Sequence, residues 1–214
     1  MSLEETLANI QDLDREIINE VKEYQNRLTK PQGSLGVLED ISFQLAGITG
    51  RKCPELGRKA VVVMAADHGV VAEGISAFPS EVTSQMVRNF VQGGAAINVL
   101  SRHVGADVLV VDVGVAATID YPQVLSYKIR FGTRNMAQGP AMTRAEAIKA
   151  LEVGIKVADD LVSNGYQILA TGEMGIGNTT ASSALVAAFL KVPAVEVTGK
   201  GTGIKARAVK YKAE

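Results

Sequence analysis

The hydrophobic positions of this 214-residue chain follow two different patterns. Near the start, Leu7, Ile10, Leu13, Ile17, Val21, Tyr24 and Leu28 recur at steps of three and four, with charged residues between them. That spacing lines one face of a helix and predicts a single long amphipathic helix. The segment Lys30-Pro31-Gln32-Gly33-Ser34-Leu35-Gly36 breaks it, and a second helix is predicted from Val37 to Gly47. Further on, the apolar residues come in continuous runs: Lys59–Ala66 with its Val61-Val62-Val63-Met64, Ala106–Val113, Val124–Arg130 and Gln167–Ala170. Runs without a period of two read as strands buried on both faces. Between and after them lie helical stretches. Ser80–Val91 has Ser80 as N-cap and Thr83 in its first turn; Ala95–Val104 and Thr179–Leu190 follow the same reading. Thr143–Asn164 opens with Thr143 and Glu146 at capping-box spacing. Val195–Val197 is predicted as a short last strand.

Strands that alternate with helices predict an α/β fold, a parallel sheet with helices on both faces. The early helices precede the first strand. They predict a small helical cap over residues 1–50, leaving 51–214 as the α/β domain.

Composition narrows the function classes. The chain is 47% hydrophobic and 21% charged, with a formal net charge of −1 and no long run of one sign. This argues against a nucleic-acid or membrane-surface binder. One cysteine, Cys53, excludes an intrachain disulfide framework and a cysteine metal cluster. No secretory leader is read at the N-terminus, and no apolar run reaches the ~20 residues of a membrane span. A cytoplasmic protein is expected.

The candidate chemistry sits where strands are predicted to end. Asp67-His68-Gly69, Asp112-Val113-Gly114, Glu173 with its glycines, and Thr198–Gly203 all fall there. In open α/β sheets that edge binds ligands. Gly175-Ile176-Gly177-Asn178-Thr179-Thr180 reads as a glycine loop opening a helix, with Asn178, Thr179 or Thr180 as cap and Glu173 within the loop. Helix N–H groups there favour a phosphate; the plainer reading is a tight strand–helix turn. The loop lacks the Gly-Lys-Ser/Thr ending of a P-loop and the third glycine of the dinucleotide pattern. Gly199-Lys200-Gly201-Thr202-Gly203 reads either as a second wall of the same site, with Lys200 as its charge, or as a surface loop. His68 is read as orienting a loop rather than as a catalyst, and Arg134 as paired with a surface carboxylate. No ligand spacing supports a metal, and no nucleophile elbow is present.

Taken in order, Lys30–Gly36, Ala66-Asp67-His68-Gly69-Val70, Ser76-Ala77-Phe78-Pro79, Glu81-Val82-Thr83 with Gln85-Met86, Gly93–Asn98 and Gly172–Thr180 resemble the nicotinate-nucleotide:dimethylbenzimidazole phosphoribosyltransferase family. The likeness runs from about Arg27 to Gly203. It implies a Rossmann-like sheet with a smaller helical domain, no metal or organic cofactor, and a homodimer. It implies transfer of ribose phosphate from nicotinate mononucleotide to a benzimidazole, giving α-ribazole 5′-phosphate and nicotinate. Glu173 is then the catalytic carboxylate that offsets oxocarbenium charge. Gly175, Gly177, Asn178, Thr179, Thr180, Gly201, Thr202 and Gly203 hold phosphate and ribose. Ser76, Pro79, Gln85, Met86 and Met174 line the acceptor-base pocket.

The likeness is incomplete in one respect. The family's general-base glutamate and a second phosphate loop lie in a C-terminal part with no counterpart here, and basic residues follow Gly203 where the family has acidic ones. Lys210 or Lys212 stands where the family carries a lysine. The expectation is therefore either an enzyme lacking its C-terminal part or a non-catalytic nucleotide-binding remnant; a sugar or nucleoside kinase lacks the acid cluster that magnesium needs.

Overall fold

A computed structural model describes residues 1–214 as two compact units, Ser2–Gly57 and Arg58–Glu214. The division falls at Gly57 rather than after residue 50, because residues 51–57 run without regular structure up to the first strand.

In the first unit the single long helix of the sequence reading is two helices, α1 (Leu3–Asn9) and α2 (Arg15–Asn26). Asp14 stops the continuation. Its carboxylate accepts the backbone N–H groups of Glu16 and Ile17 at 3.0 Å each, an N-cap that starts a new helix at Arg15. α3 (Val37–Thr49) packs on α2 through Ile18, Val21 and Ala46. Lys30 pairs with the buried Glu39 at 2.7 Å and anchors the Pro-Gly segment between the two helices.

In the second unit four parallel strands form one sheet, ordered β3-β2-β1-β4: β1 (Arg58–Ala66), β2 (Ala106–Gly114), β3 (Val124–Ser126) and β4 (Tyr166–Met174). Alternate residues of the central strands serve two cores. Val63, Ala65 and Val110 face Val87 and Phe90 of α4 (Glu81–Val91) and Ala95, just ahead of α5 (Ala96–Val104). Ala60, Val62 and Val111 face Val157 and Leu161 of α6 (Arg144–Ser163). Helices on both faces explain why the strands are apolar throughout. Thr143 and Glu146 form the capping box that their spacing predicts.

Three predictions fail locally. The third strand stops at Ser126, because Tyr127 and Ile129 donate to the carbonyls of Asp112 and Val113 as an irregular crossing segment. Val195–Val197 belongs to a one-turn helix, α8 (Ala194–Val197), entered through Pro193. β4 runs on past Ala170, where the sequence reading ends it, through Thr171-Gly172-Glu173-Met174, so Glu173 belongs to the strand rather than to the glycine loop; Met64 of β1 pairs with Glu173. The unit closes with α7 (Asn178–Leu190) and α9 (Ala206–Ala213). No helix is long and apolar enough to cross a membrane.

Candidate active site

The carboxyl ends of β1, β2 and β4 meet at one edge of the sheet, and the loops that leave β1 and β2 are tied together by hydrogen bonds. Asp67 follows β1; its Oδ2 accepts the Ala116 N–H at 2.7 Å and its carbonyl accepts the Thr133 N–H at 2.9 Å. The Gly69 N–H donates to the Thr133 hydroxyl at 3.1 Å. His68 is largely withdrawn from water, and this holds its imidazole below its ordinary pKa against the opposing pull of Asp67. That suits a neutral ring that packs between loops. Arg134 pairs with Glu146 at 3.1 Å, a carboxylate partner as its sequence reading expects.

The glycine loop starts after Met174. Gly177, at φ 90°, is the N-cap of α7, so none of Asn178, Thr179 or Thr180 takes that position. A Cβ at Gly177 would stand 2.6 Å from the Val71 side chain, so both backbone and space demand glycine. Asn178 N–H donates to the Gly175 carbonyl at 3.1 Å and Thr180 N–H to Gly177 at 3.0 Å. Two donors of the helix start are thus engaged by the turn itself. The loop is also pinned from α4: Ile176 N–H donates to the Thr83 hydroxyl at 3.1 Å, with both residues buried. Ser80, the expected cap of α4, sits at the N-cap position without a side-chain bond.

The positive charge at this loop comes from Lys212 of α9, whereas Lys200 is exposed. Lys212 is 8% exposed, and its Nζ donates to Thr179 Oγ1 at 2.8 Å and to the Gly199 carbonyl at 3.4 Å. No carboxylate pairs with it, and burial lowers its pKa from the usual lysine value. Thr180 beside it is 5% exposed, with a hydroxyl that has no partner. Both line a cavity of about 360 Å³ together with Thr198 and Tyr211; Glu73, whose carboxylate accepts from the Asn135 side chain, and Glu214 line it as well, and neither carboxylate pairs with Lys212. A buried ammonium and a buried unpartnered hydroxyl at one helix start are complementary to an anion.

Glu173 projects from the end of β4, and partial burial raises its carboxyl pKa while the Asn178 side chain opposes the rise. Ser76 and Pro79 line an open depression of about 590 Å³ with His68, Phe78 and Glu81. Gln85 lies exposed on α4 outside that lining, and Met86 and Met174 pack against the core between sheet and α4. Gly201 lies against Thr179 and Lys212, Thr202 turns to the Ser76 loop, and Gly203 closes a turn onto the Lys200 carbonyl. No three His, Cys, Asp or Glu side chains gather as a metal-holding group.

A family model described as "Phosphoribosyltransferase" matches residues 10–214. The chain belongs to this family. Among its phosphoribosyltransferase relatives, the nicotinate-nucleotide–dimethylbenzimidazole phosphoribosyltransferase of Halalkalibacterium halodurans is 54% identical over 202 residues, covering 94% of this chain and 57% of that protein. The protein of the same name from Chloroflexus aggregans is 56% identical over 203 residues, covering 94% and 58%. The crystal structure of CobT from Thermus thermophilus superposes with a TM-score of 0.89 at 50% identity, covering 92% of this chain and 60% of that one. The chain thus spans somewhat under two thirds of the length of these relatives. Within the phosphoribosyltransferase fold, two residues escape assignment from sequence. Lys212 is one of two lysines that the sequence leaves open, because its role depends on α9 folding back onto α7. Thr83 looks like an ordinary first-turn residue; only the chain's return at Ile176, far along the sequence, gives its hydroxyl a task.

Proposed function

We propose that this chain carries the donor-phosphate and acceptor-base subsites for transfer of ribose 5-phosphate from nicotinate mononucleotide to 5,6-dimethylbenzimidazole. The observation that carries the reading is Lys212, a buried ammonium without a carboxylate partner beside Thr179 and the free hydroxyl of Thr180. A 5′-phosphate supplies the missing counter-charge. The names of the relatives, which bear both substrates, support the choice of donor and acceptor.

In this reading the Gly175–Thr180 loop, Gly201 and Gly203 surround the phosphate and ribose. The benzimidazole lies in the depression of Ser76, Phe78 and Pro79, with Met86 and Met174 in the core behind it and Gln85 on the exposed face of α4 reaching toward its rim. The acceptor nitrogen attacks the anomeric carbon as the bond to nicotinate breaks, and nicotinate leaves with the bonding pair. Positive charge that builds on the ribose faces the Glu173 carboxylate. Holding both partners in line removes much of the entropic barrier. The acceptor's N–H proton leaves to a base outside the residues assigned here. The same reading expects no metal or organic cofactor, and a cytoplasmic homodimer that binds neither nucleic acid nor membrane.

The test is to mix the chain with both substrates and quantify nicotinate, with a Glu173→Ala control. Nicotinate released with matching α-ribazole 5′-phosphate, and lost in the control, supports the proposal. Calorimetric binding of both substrates without release supports a nucleotide-binding chain without catalysis. Binding of neither refutes the assignment of both subsites.

A further inference from the structure

The segment Gly199–Gly203 touches both proposed subsites. At one end its Gly199 carbonyl is held by Lys212 Nζ at 3.4 Å. In the middle Gly201, at φ 51°, presses on the anion site: a Cβ there would lie 2.6 Å from Thr179 Oγ1 and 3.1 Å from Lys212 Nζ. At the other end Thr202 Oγ1 accepts the Ala77 N–H at 2.9 Å and shares a hydrogen bond with Ser76 Oγ at 3.1 Å. Ser76 Oγ in turn accepts the Phe78 N–H at 3.2 Å. The wall of the acceptor depression is therefore braced by the same five residues that cover the buried lysine.

We propose that Gly199–Gly203 is a strap that couples the two subsites, with Thr202 as its positioning residue. The inference rests on the reading of Lys212 as an anion site. Lys212 now gives one of its hydrogens to Gly199 across a long contact. A phosphate dianion is a far stronger acceptor than a peptide carbonyl and draws the ammonium to itself. Gly199 is then released, and Gly201 moves off Thr179 to make room. That movement pulls Thr202 from Ser76 and Ala77 and frees the wall formed by Ser76, Ala77 and Phe78. Donor binding thus opens the acceptor depression, and an acceptor that needs the wall displaced favours the donor-bound state by the same factor. The strapped state also weakens anion binding, since only the fraction with the strap lifted binds at full strength.

The experiment uses inorganic phosphate as the probe and four proteins: the unsubstituted chain, Thr202→Val, which removes both bonds to the Ser76 loop, Thr202→Ser, which keeps them, and Lys212→Met, which removes the ammonium. Affinity is read by calorimetry, and the Ala77 and Phe78 amides by hydrogen exchange. The expected result is faster exchange at Ala77 and Phe78 when phosphate is added to the unsubstituted chain. Thr202→Val should bind phosphate roughly five- to thirtyfold more tightly, the factor expected from releasing one or two ordinary hydrogen bonds of about 1 kcal/mol each, and Thr202→Ser should match the unsubstituted chain. Phosphate that binds with unchanged exchange and equal affinity for Thr202→Val overturns the strap and leaves the anion site standing. Phosphate that binds neither the unsubstituted chain nor either Thr202 variant, or that binds Lys212→Met as tightly as the unsubstituted chain, overturns the anion site and the strap with it.

Discussion

Thr83 offers a sharp test of how α4 holds the glycine loop. It is fully buried, and its hydroxyl accepts the N–H of Ile176, itself 6% exposed. Thr83→Val replaces that hydroxyl by a methyl group at nearly constant volume. Packing is kept and the acceptor is lost. The Ile176 amide is left buried without a partner, which costs about 1–3 kcal/mol. Thr83→Ser keeps the acceptor and deletes one methyl, at about 1 kcal/mol from lost transfer and a small cavity. Global stability by urea unfolding therefore separates the two variants poorly, but the Ile176 amide separates them well. In native-state hydrogen exchange it should open about five- to a hundredfold more often in Thr83→Val, the factor equivalent to the lost bond. In Thr83→Ser it should exchange as in the unsubstituted chain, corrected for global stability. The reasoning is refuted if Thr83→Val unfolds within about 0.5 kcal/mol of the unsubstituted chain, the range of a neutral surface change, and leaves Ile176 exchange unaltered.

Other consequences follow from the same geometry. Lys128 meets Asp112 at 2.8 Å, with the two side chains 15% and 2% exposed, so Lys128→Met strands a buried carboxylate and should cost about 3–5 kcal/mol by urea unfolding; a loss under about 1 kcal/mol, the scale of an exposed pair, would contradict this. The Glu146 carboxyl is held down to about 2 from 4.5, chiefly by the Thr143 N–H and then by Thr143 Oγ1 and Arg134. Between those values the unfolded chain binds more protons than the folded one, so this contribution is whole above pH 4.5 and fades as pH falls toward about 2. Glu146→Gln should flatten that part of the acid limb, and superimposable pH–stability curves would sink the assignment. On α7 and α8, Phe189 is 79% exposed, Leu190 67%, Leu185 57% and Val195 63%, large apolar side chains open to association. Phe189→Ser should lower the weight-average mass in sedimentation velocity and leave the urea midpoint nearly unchanged; an unaltered mass distribution would show that these side chains do not drive self-association.

How much of this can be read from the chain depends on whether the cause is local. The strands β1 and β2, the helices α3 to α6 and the Thr143–Glu146 capping box are legible because each follows from period, apolar run or cap chemistry within a few residues. The glycine loop is legible as a loop, but its first residues belong to the strand before it. Gly172 looks like loop chemistry in sequence, yet pairing with Val63 on β1 makes it strand, and Glu173 is carried to the strand end by the same ladder. Asp14 shows the reverse case: a local cap outweighs a helical period that runs straight through it.

The sequence by itself determined the alternation of strands and helices, the polar glycine segments at strand ends, and the family likeness carried by six ordered motifs. Only the tertiary structure decided which groups share a site. Lys212 is one basic residue in a stretch of several until α9 returns it to Thr179 and strips it of water, and Thr202 is a loop threonine until it reaches Ser76. Both depend on contacts between segments 33 and 126 residues apart. Burial and pairing at such separations arise from packing the whole unit, and no local pattern encodes them.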